Sequence, residues 1–268
     1  MDPNTDNPES PKPKYIFSKR LDSMFYSIYH AYQFILRFFR EVFVPPYEFK
    51  EIIHQCYEVG YKSLPLISLT GFITGIVFTN QSRPSLANFG ATSWLPSLIS
   101  IAIVRALAPL VTALIAAGKV GSNMGAELGS MKVTEQIDAM EVSATNPFKY
   151  LVVSRIIATT FMIPVLVMYT AFVALFGAFL SVHSNEQTSF AMFFSQVFDS
   201  LSFLDIFSTT FKSTVFGFTI GAVGCYHGYN SSKGTEGVGR AANSAVVAAM
   251  FLIFVEEIII VQIVNAFR

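Results

Sequence analysis

Five stretches of the chain, 64–79, 94–117, 156–182, 213–229 and 241–267, carry almost no ionisable side chains. Their lengths approach the roughly 20 residues that a helix needs to cross a hydrocarbon core of about 30 Å. None alternates with the period of a barrel strand, and a bilayer core admits only structures that satisfy their own backbone groups, so the pattern predicts helices. The first run is short for a crossing, and the third is long enough to tilt or project. Upstream, Phe25, Ile28, Tyr29, Tyr32, Ile35, Leu36, Phe39, Val42 and Phe43 recur at helical spacing, while Asp22, Ser27, Gln33, Arg37, Arg40 and Glu41 fall largely off that stripe. Pro45 and Pro46 end the pattern. An aromatic side opposite a cationic one predicts a helix lying in the membrane interface.

The expected architecture is an all-α integral membrane protein of about five transmembrane helices preceded by an N-terminal interfacial amphipathic helix. Residues 1–14 are rich in Pro, Asn and Asp and lack a basic start followed by an apolar core, which predicts a disordered tail rather than a signal peptide. The chain divides into a tail (1–20), an interfacial helix with its connector (21–62) and a transmembrane domain (63–268).

Composition supports this reading. The 268 residues are 52% hydrophobic and 13% charged, whereas a soluble domain carries about 25% charged residues. Such a chain cannot coat a water-exposed surface with charge. It has no basic face for nucleic acid, and Cys56 and Cys225 supply no disulfide framework. The formal net charge is zero, with 18 residues of each sign, so placement matters more than the sum. Eight Lys or Arg precede the first run, four lie between the second and third, and two between the fourth and fifth; the alternate segments hold one each. By the positive-inside rule the N-terminus is cytoplasmic and the C-terminus lies across the membrane.

Catalytic constellations are missing from the sequence. His30, His54, His183 and His227 are isolated, no nucleophile elbow or acylation motif occurs, and Gly118-Lys119 lacks the spacing of a phosphate-binding loop. The distinctive segment is the polar stretch 118–142. Gly121, Gly125 and Gly129 recur every four residues and would leave a bare strip on a helix for another backbone to approach. Glu127, Glu135, Asp138 and Glu141 follow against one Lys132, and Leu128, Met131 and Val142 fall nearly opposite Val133, Ile137 and Met140 on a helical wheel. Two readings stay open for this segment: docking into a partner protein, or folding back to seal its own bundle. Within the spans, Arg105 and the pair Glu256 and Glu257 are the exceptional residues. A charge there costs at least about 2.5 kcal/mol, so it faces protein or water. Mutual ion pairing and a polar substrate path are both compatible with it. Pro96, Pro109 and Pro164 mark bends, and Gly71-x-x-x-Gly75 and Gly217-x-x-x-Gly221 mark close helix packing.

The polar segment resembles the MlaE family, permease subunits of ABC transporters that move lipids with MCE proteins. The matching positions are Arg105, Gly118, Lys119, Gly121, Ala126, Glu127, Gly129, Met131, Lys132, Thr134, Glu135, Gln136, Glu141, Asn146 and Pro147. A second block runs Lys212-Ser213, Gly228-Tyr229 and Gly234 to Ala241, with weaker agreement at Gln81 and at Phe89-Gly90-Ala91. The similarity covers about residues 47–264. Two positions depart from the family pattern: Ala106 stands where a Glu usually follows the intramembrane Arg, and Glu257 where the fifth span usually carries Asp.

The resemblance implies a homodimeric, non-catalytic inner-membrane permease that moves phospholipids between inner and outer membranes. It implies ATP and Mg bound by a separate cytoplasmic ATPase, a periplasmic MCE-domain partner and often a STAS-domain protein. It implies a cytoplasmic coupling helix between spans two and three, with Glu127, Met131, Lys132, Glu135, Gln136, Asp138 and Glu141 meeting the ATPase. Arg105, Gln81, Lys212 and Glu257 are the expected lipid-path residues. An ion-coupled secondary transporter or channel is the competing class; five spans do not divide into the two related halves common there.

Overall fold

The computed structural model describes residues 16–45 and 47–266. The predicted tail lies outside them as far as residue 15, as do Phe267 and Arg268. Among the described residues every regular element is a helix. In chain order these are α1 (Ile16–Val42), α2 (Phe49–Asn88), α3 (Thr92–Val133), α4 (Gln136–Val142), α5 (Phe148–Glu186), α6 (Phe190–Ser200), α7 (Phe203–Tyr229) and α8 (Thr235–Ala266). Helices α2, α3, α5 and α8 are each long and apolar enough to cross a membrane, and α6 with α7, meeting at 78°, supplies a fifth candidate crossing.

The helices overrun the apolar runs that announce them. Helix α3 has 42 residues, about 63 Å at about 1.5 Å per residue, or twice the thickness of a bilayer core. Residues 118–133 therefore continue the second span instead of forming a loop, and only α4 stands apart. The break falls at Glu135, which adopts a left-handed backbone with φ 57°. The first span is likewise not short, because the α-helical turns of α2 extend from Leu64 to Asn88 and a further helical stretch precedes them. Three π-helical segments interrupt the regular register: Ile103–Leu107 and Ala117–Gly121 in α3, and Phe148–Val153 at the start of α5.

Small residues set the closest packing. A Cβ at Gly75 would collide with the carbonyl oxygen of Ala174, and one at Gly177 with that of Phe72, so α2 and α5 meet backbone to backbone. The strip of Gly121, Gly125 and Gly129 is approached by the chain's own helices. A Cβ at Gly125 would lie 3.1 Å from the carbonyl oxygen of Ala241 in α8, and Gly129 sits beside Ser231 and Val238. This face of the polar segment seals the bundle.

The predicted stripe on α1 turns outward. Phe25, Ile28, Tyr29, Tyr32, Leu36, Phe39 and Phe43 are exposed, and Phe34 and Phe38, off that stripe, are the buried anchors. Phe34 packs against Phe148, Tyr226 and Tyr229, and Phe38 against Phe218. Around the bundle, Leu69, Ile73, Phe161, Val165, Phe172, Phe251 and Ile258 are exposed as well. So much contiguous apolar exterior belongs in lipid.

Candidate functional site

Two polar assemblies lie toward opposite ends of α3. The first surrounds Arg105 in the π segment Ile103–Leu107. Arg105 Nε lies 2.7 Å from Asp205 Oδ1, and its Nη2 donates to Oδ2 at 2.8 Å. Asp205 also accepts from the backbone N and the hydroxyl of Ser202, so one carboxylate caps the first turn of α7 and holds the guanidinium. One α-helical turn or more further along α7, Thr209 donates to the Val104 carbonyl at 2.9 Å and Lys212 Nζ to the Arg105 carbonyl at 3.0 Å. Side chains of α7 thus satisfy carbonyls of the π segment, the register in which functional irregularities concentrate.

Lys212 also pairs with Glu257 Oε1 at 2.8 Å, its side chain only 5% exposed. Glu256 accepts from Thr219 at 2.5 Å. The second carboxylate oxygens of Glu256 and Glu257 are buried with no hydrogen-bond partner among the described residues. A cavity of about 180 Å³ opens on Arg105, Ala106, Asp205, Ser208, Lys212, Val261, Val264 and Asn265. The structure therefore brings Arg105, Lys212 and Glu257 together and adds Asp205. Gln81 stays apart, exposed on α2 and outside that cavity.

The second assembly is at the other end of α3. Ile137 is buried and Met140 packs on the core, whereas Gln136, Asp138, Glu141 and Val142 are exposed, so α4 is seated by one face and presents an acidic one. Glu135 sits at the break with Lys233 3.8 Å away. Met131 packs on the core, and Lys132 Nζ lies 5.5 Å from the ring centre of Tyr229. Glu127 is not part of the α4 surface. It sits on α3 and pairs with Arg155 of α5 at 2.8 Å. Arg155 is 2% exposed and also donates to the Leu151 carbonyl.

Arg155 and Asp205 are the charged members of these two assemblies that the hydropathy pattern did not single out. Arg155 lies one position before the third apolar run and reads as a loop cation. Asp205 precedes the fourth run by eight residues and reads as loop as well. A capping pattern, Ser202 three residues before Asp205, was the available signal for the true start of α7.

Apolar crossings, a lipid-facing exterior and charge pairs buried between helices define a multi-pass membrane protein with an internal polar site. The family model described as Permease MlaE matches residues 52–263, and the chain belongs to that family. It is 36% identical over 219 residues to a probable ABC transporter permease protein of Rickettsia typhi, covering 82% of this chain and 85% of that one. A protein of the same description from Synechocystis is 36% identical over 208 residues, covering 78% and 79%. One from Porphyra purpurea is 38% identical over 201 residues, covering 74% and 76%.

Proposed function

We propose that this chain is the non-catalytic membrane subunit of an ABC transporter that moves phospholipids between the inner and outer membranes. The observation that carries the reading is a single helix with two functional ends. Helix α3 holds Arg105 at membrane depth, beside Lys212 and a cavity, and leads directly into the exposed acidic helix α4. The names of the relatives support an ATPase partner. The excess of Lys and Arg before the first apolar run and between the second and third, where Lys119, Lys132, Lys149 and Arg155 flank α4 from the ends of α3 and α5, supports α4 on the cytoplasmic side, the N-terminus with it, and the C-terminus in the periplasm.

In this account two copies pair, and each seats α4 on a cytoplasmic ATPase that supplies ATP and Mg. Asp138, Glu141 and Gln136 form the contact, with Glu135 at its hinge. A periplasmic MCE-domain protein and a STAS-domain protein complete the assembly. Arg105 and Lys212 attract a headgroup phosphate, because cations in a low-dielectric site act strongly on an anion. Asp205 and Glu257 hold those cations while no phosphate is present and compete for them when one arrives. The exposed stripe of α1 lies in the cytoplasmic interface and braces the bundle through Phe34 and Phe38.

The test is co-purification. The chain extracted from membranes in mild detergent is expected to retain an ABC ATPase and phospholipid, and D138K/E141K is expected to lose the ATPase while inserting normally. An ATPase retained at wild-type level by D138K/E141K would overturn the assignment of α4, and a wild-type chain isolated with neither companion would overturn the transporter reading.

A further inference from the structure

The connection that bears α4 stands on two stems, the end of α3 and the start of α5. Neither stem packs extensively on the other; the end of α3 is seated on α8 and α7, and the start of α5 on α1 and, from Ile156, on α7. Among the described residues, one ion pair joins them directly, Glu127 to Arg155 at 2.8 Å. The two partners are unequally placed. Arg155 is sunk in the bundle, with a further bond to the Leu151 carbonyl and its Nε buried without a partner, whereas the Glu127 side chain is 56% exposed. Glu127 borders a cavity of about 290 Å³ with His54, Glu58, Lys119 and Asn123, but its carboxylate reaches across to the neighbouring stem. A buried guanidinium needs this carboxylate, so the pair holds the stems in one relative position.

We infer that Glu127 and Arg155 are positioning residues that tie the two stems of α4 together, so that a displacement of α4 moves α3 and α5 as one body. Arg105 lies 22 residues before Glu127 on the same helix, about 33 Å along its axis. With the tie intact, motion at α4 is delivered along α3 to the Arg105 cavity. Without it, α4 can tilt by parting its stems, and the motion is spent before it reaches the cavity. The inference rests on the proposed role of α4. It separates Glu127 from the residues that touch the ATPase and assigns a role to Arg155.

The test uses the complete transporter in proteoliposomes with E127Q, R155M and the double variant. It reads the ATPase retained on purification, the ATP hydrolysed, and the labelled phospholipid moved per ATP. The expected result is full retention of the ATPase with lipid moved per ATP falling at least about fivefold in each single variant, the low end for energetic coupling between two sites. The double variant is expected to fall no further, because the tie is already broken. Should R155M fail to accumulate, E127Q and E127D decide, E127D keeping the carboxylate and most of the wild-type ratio. Loss of ATPase retention in E127Q would show that Glu127 touches the partner and would overturn the inference, as would an unchanged ratio in the assembled complex. A wild-type complex that moves no lipid with ATP contradicts the transport reading itself, and with it this inference.

Discussion

Replacing Glu257 with Leu isolates the energetics of the membrane-depth cluster. Lys212 and Glu257 have side-chain exposures of 5% and 15%, and their contact is 2.8 Å. Removing the carboxylate leaves a buried ammonium whose remaining acceptor is the Arg105 carbonyl. Glu256 cannot easily replace it, because its Oε1 is engaged by Thr219, seven residues along α7 from Lys212. Breaking one side of a buried pair costs about 3–5 kcal/mol, whereas replacing both partners with apolar groups of similar size is often neutral. The carbonyl contact puts the expected cost of E257L near the lower figure, about 3 kcal/mol. For a chain of this size that corresponds to roughly 6–12 °C in Tm. K212M leaves the opposite charge and should cost a similar amount, while K212M/E257L should return to within about 1 kcal/mol of the wild type. Equilibrium unfolding in mixed micelles, run as a double-mutant cycle, reads these values. Two single variants each costing less than about 1 kcal/mol, or effects that simply add to within about 0.5 kcal/mol, would refute the claim that the two residues form a mutually dependent buried pair.

Other positions carry equally definite expectations. Gly75→Ala places a Cβ against the carbonyl oxygen of Ala174 and should destabilise by about 1–3 kcal/mol through overpacking. Gly239→Ala meets open space in α8 and should be neutral or gain up to about 1 kcal/mol in the same unfolding assay. Phe34→Ala removes a buried ring wedged among Phe148, Tyr226 and Tyr229, a loss of about 3–5 kcal/mol. Hydrogen exchange should show α1 losing protection in that variant and keeping it in F25A, whose ring is exposed.

The apolar runs were enough to locate the crossings because lipid imposes a length and a backbone rule that few other sequences meet. They were not enough to locate the ends. Hydropathy falls at Gly118, but α3 continues for 15 more residues, since a helix end depends on caps and packing and not on where apolar side chains stop. Arg155 shows the same limit from the other side. A basic residue beside an apolar run reads as solvated, and only the carboxylate supplied by a distant segment makes its burial possible. The glycine strip was legible as a surface for close approach, but the identity of the approaching backbone, α8, depends on tertiary placement. The π segments left no sequence signal at all, although two of them carry Arg105 and Lys119. On α1 the wheel found the aromatic stripe, yet in a membrane protein the most apolar face turns to lipid, and the anchors Phe34 and Phe38 lie beside it.

In the proposed function, motion powered by ATP at α4 moves phospholipid past Arg105 and Lys212. Reconstituting the chain with an ABC ATPase and the proposed periplasmic partner in proteoliposomes, and following labelled phospholipid with and without ATP, tests this most directly. Lipid transfer is expected to require ATP hydrolysis, to fail when the ATPase is omitted, and to be strongly reduced in an assembled R105M/K212M complex. Transfer that proceeds without ATP, or at wild-type rate in R105M/K212M, would contradict it.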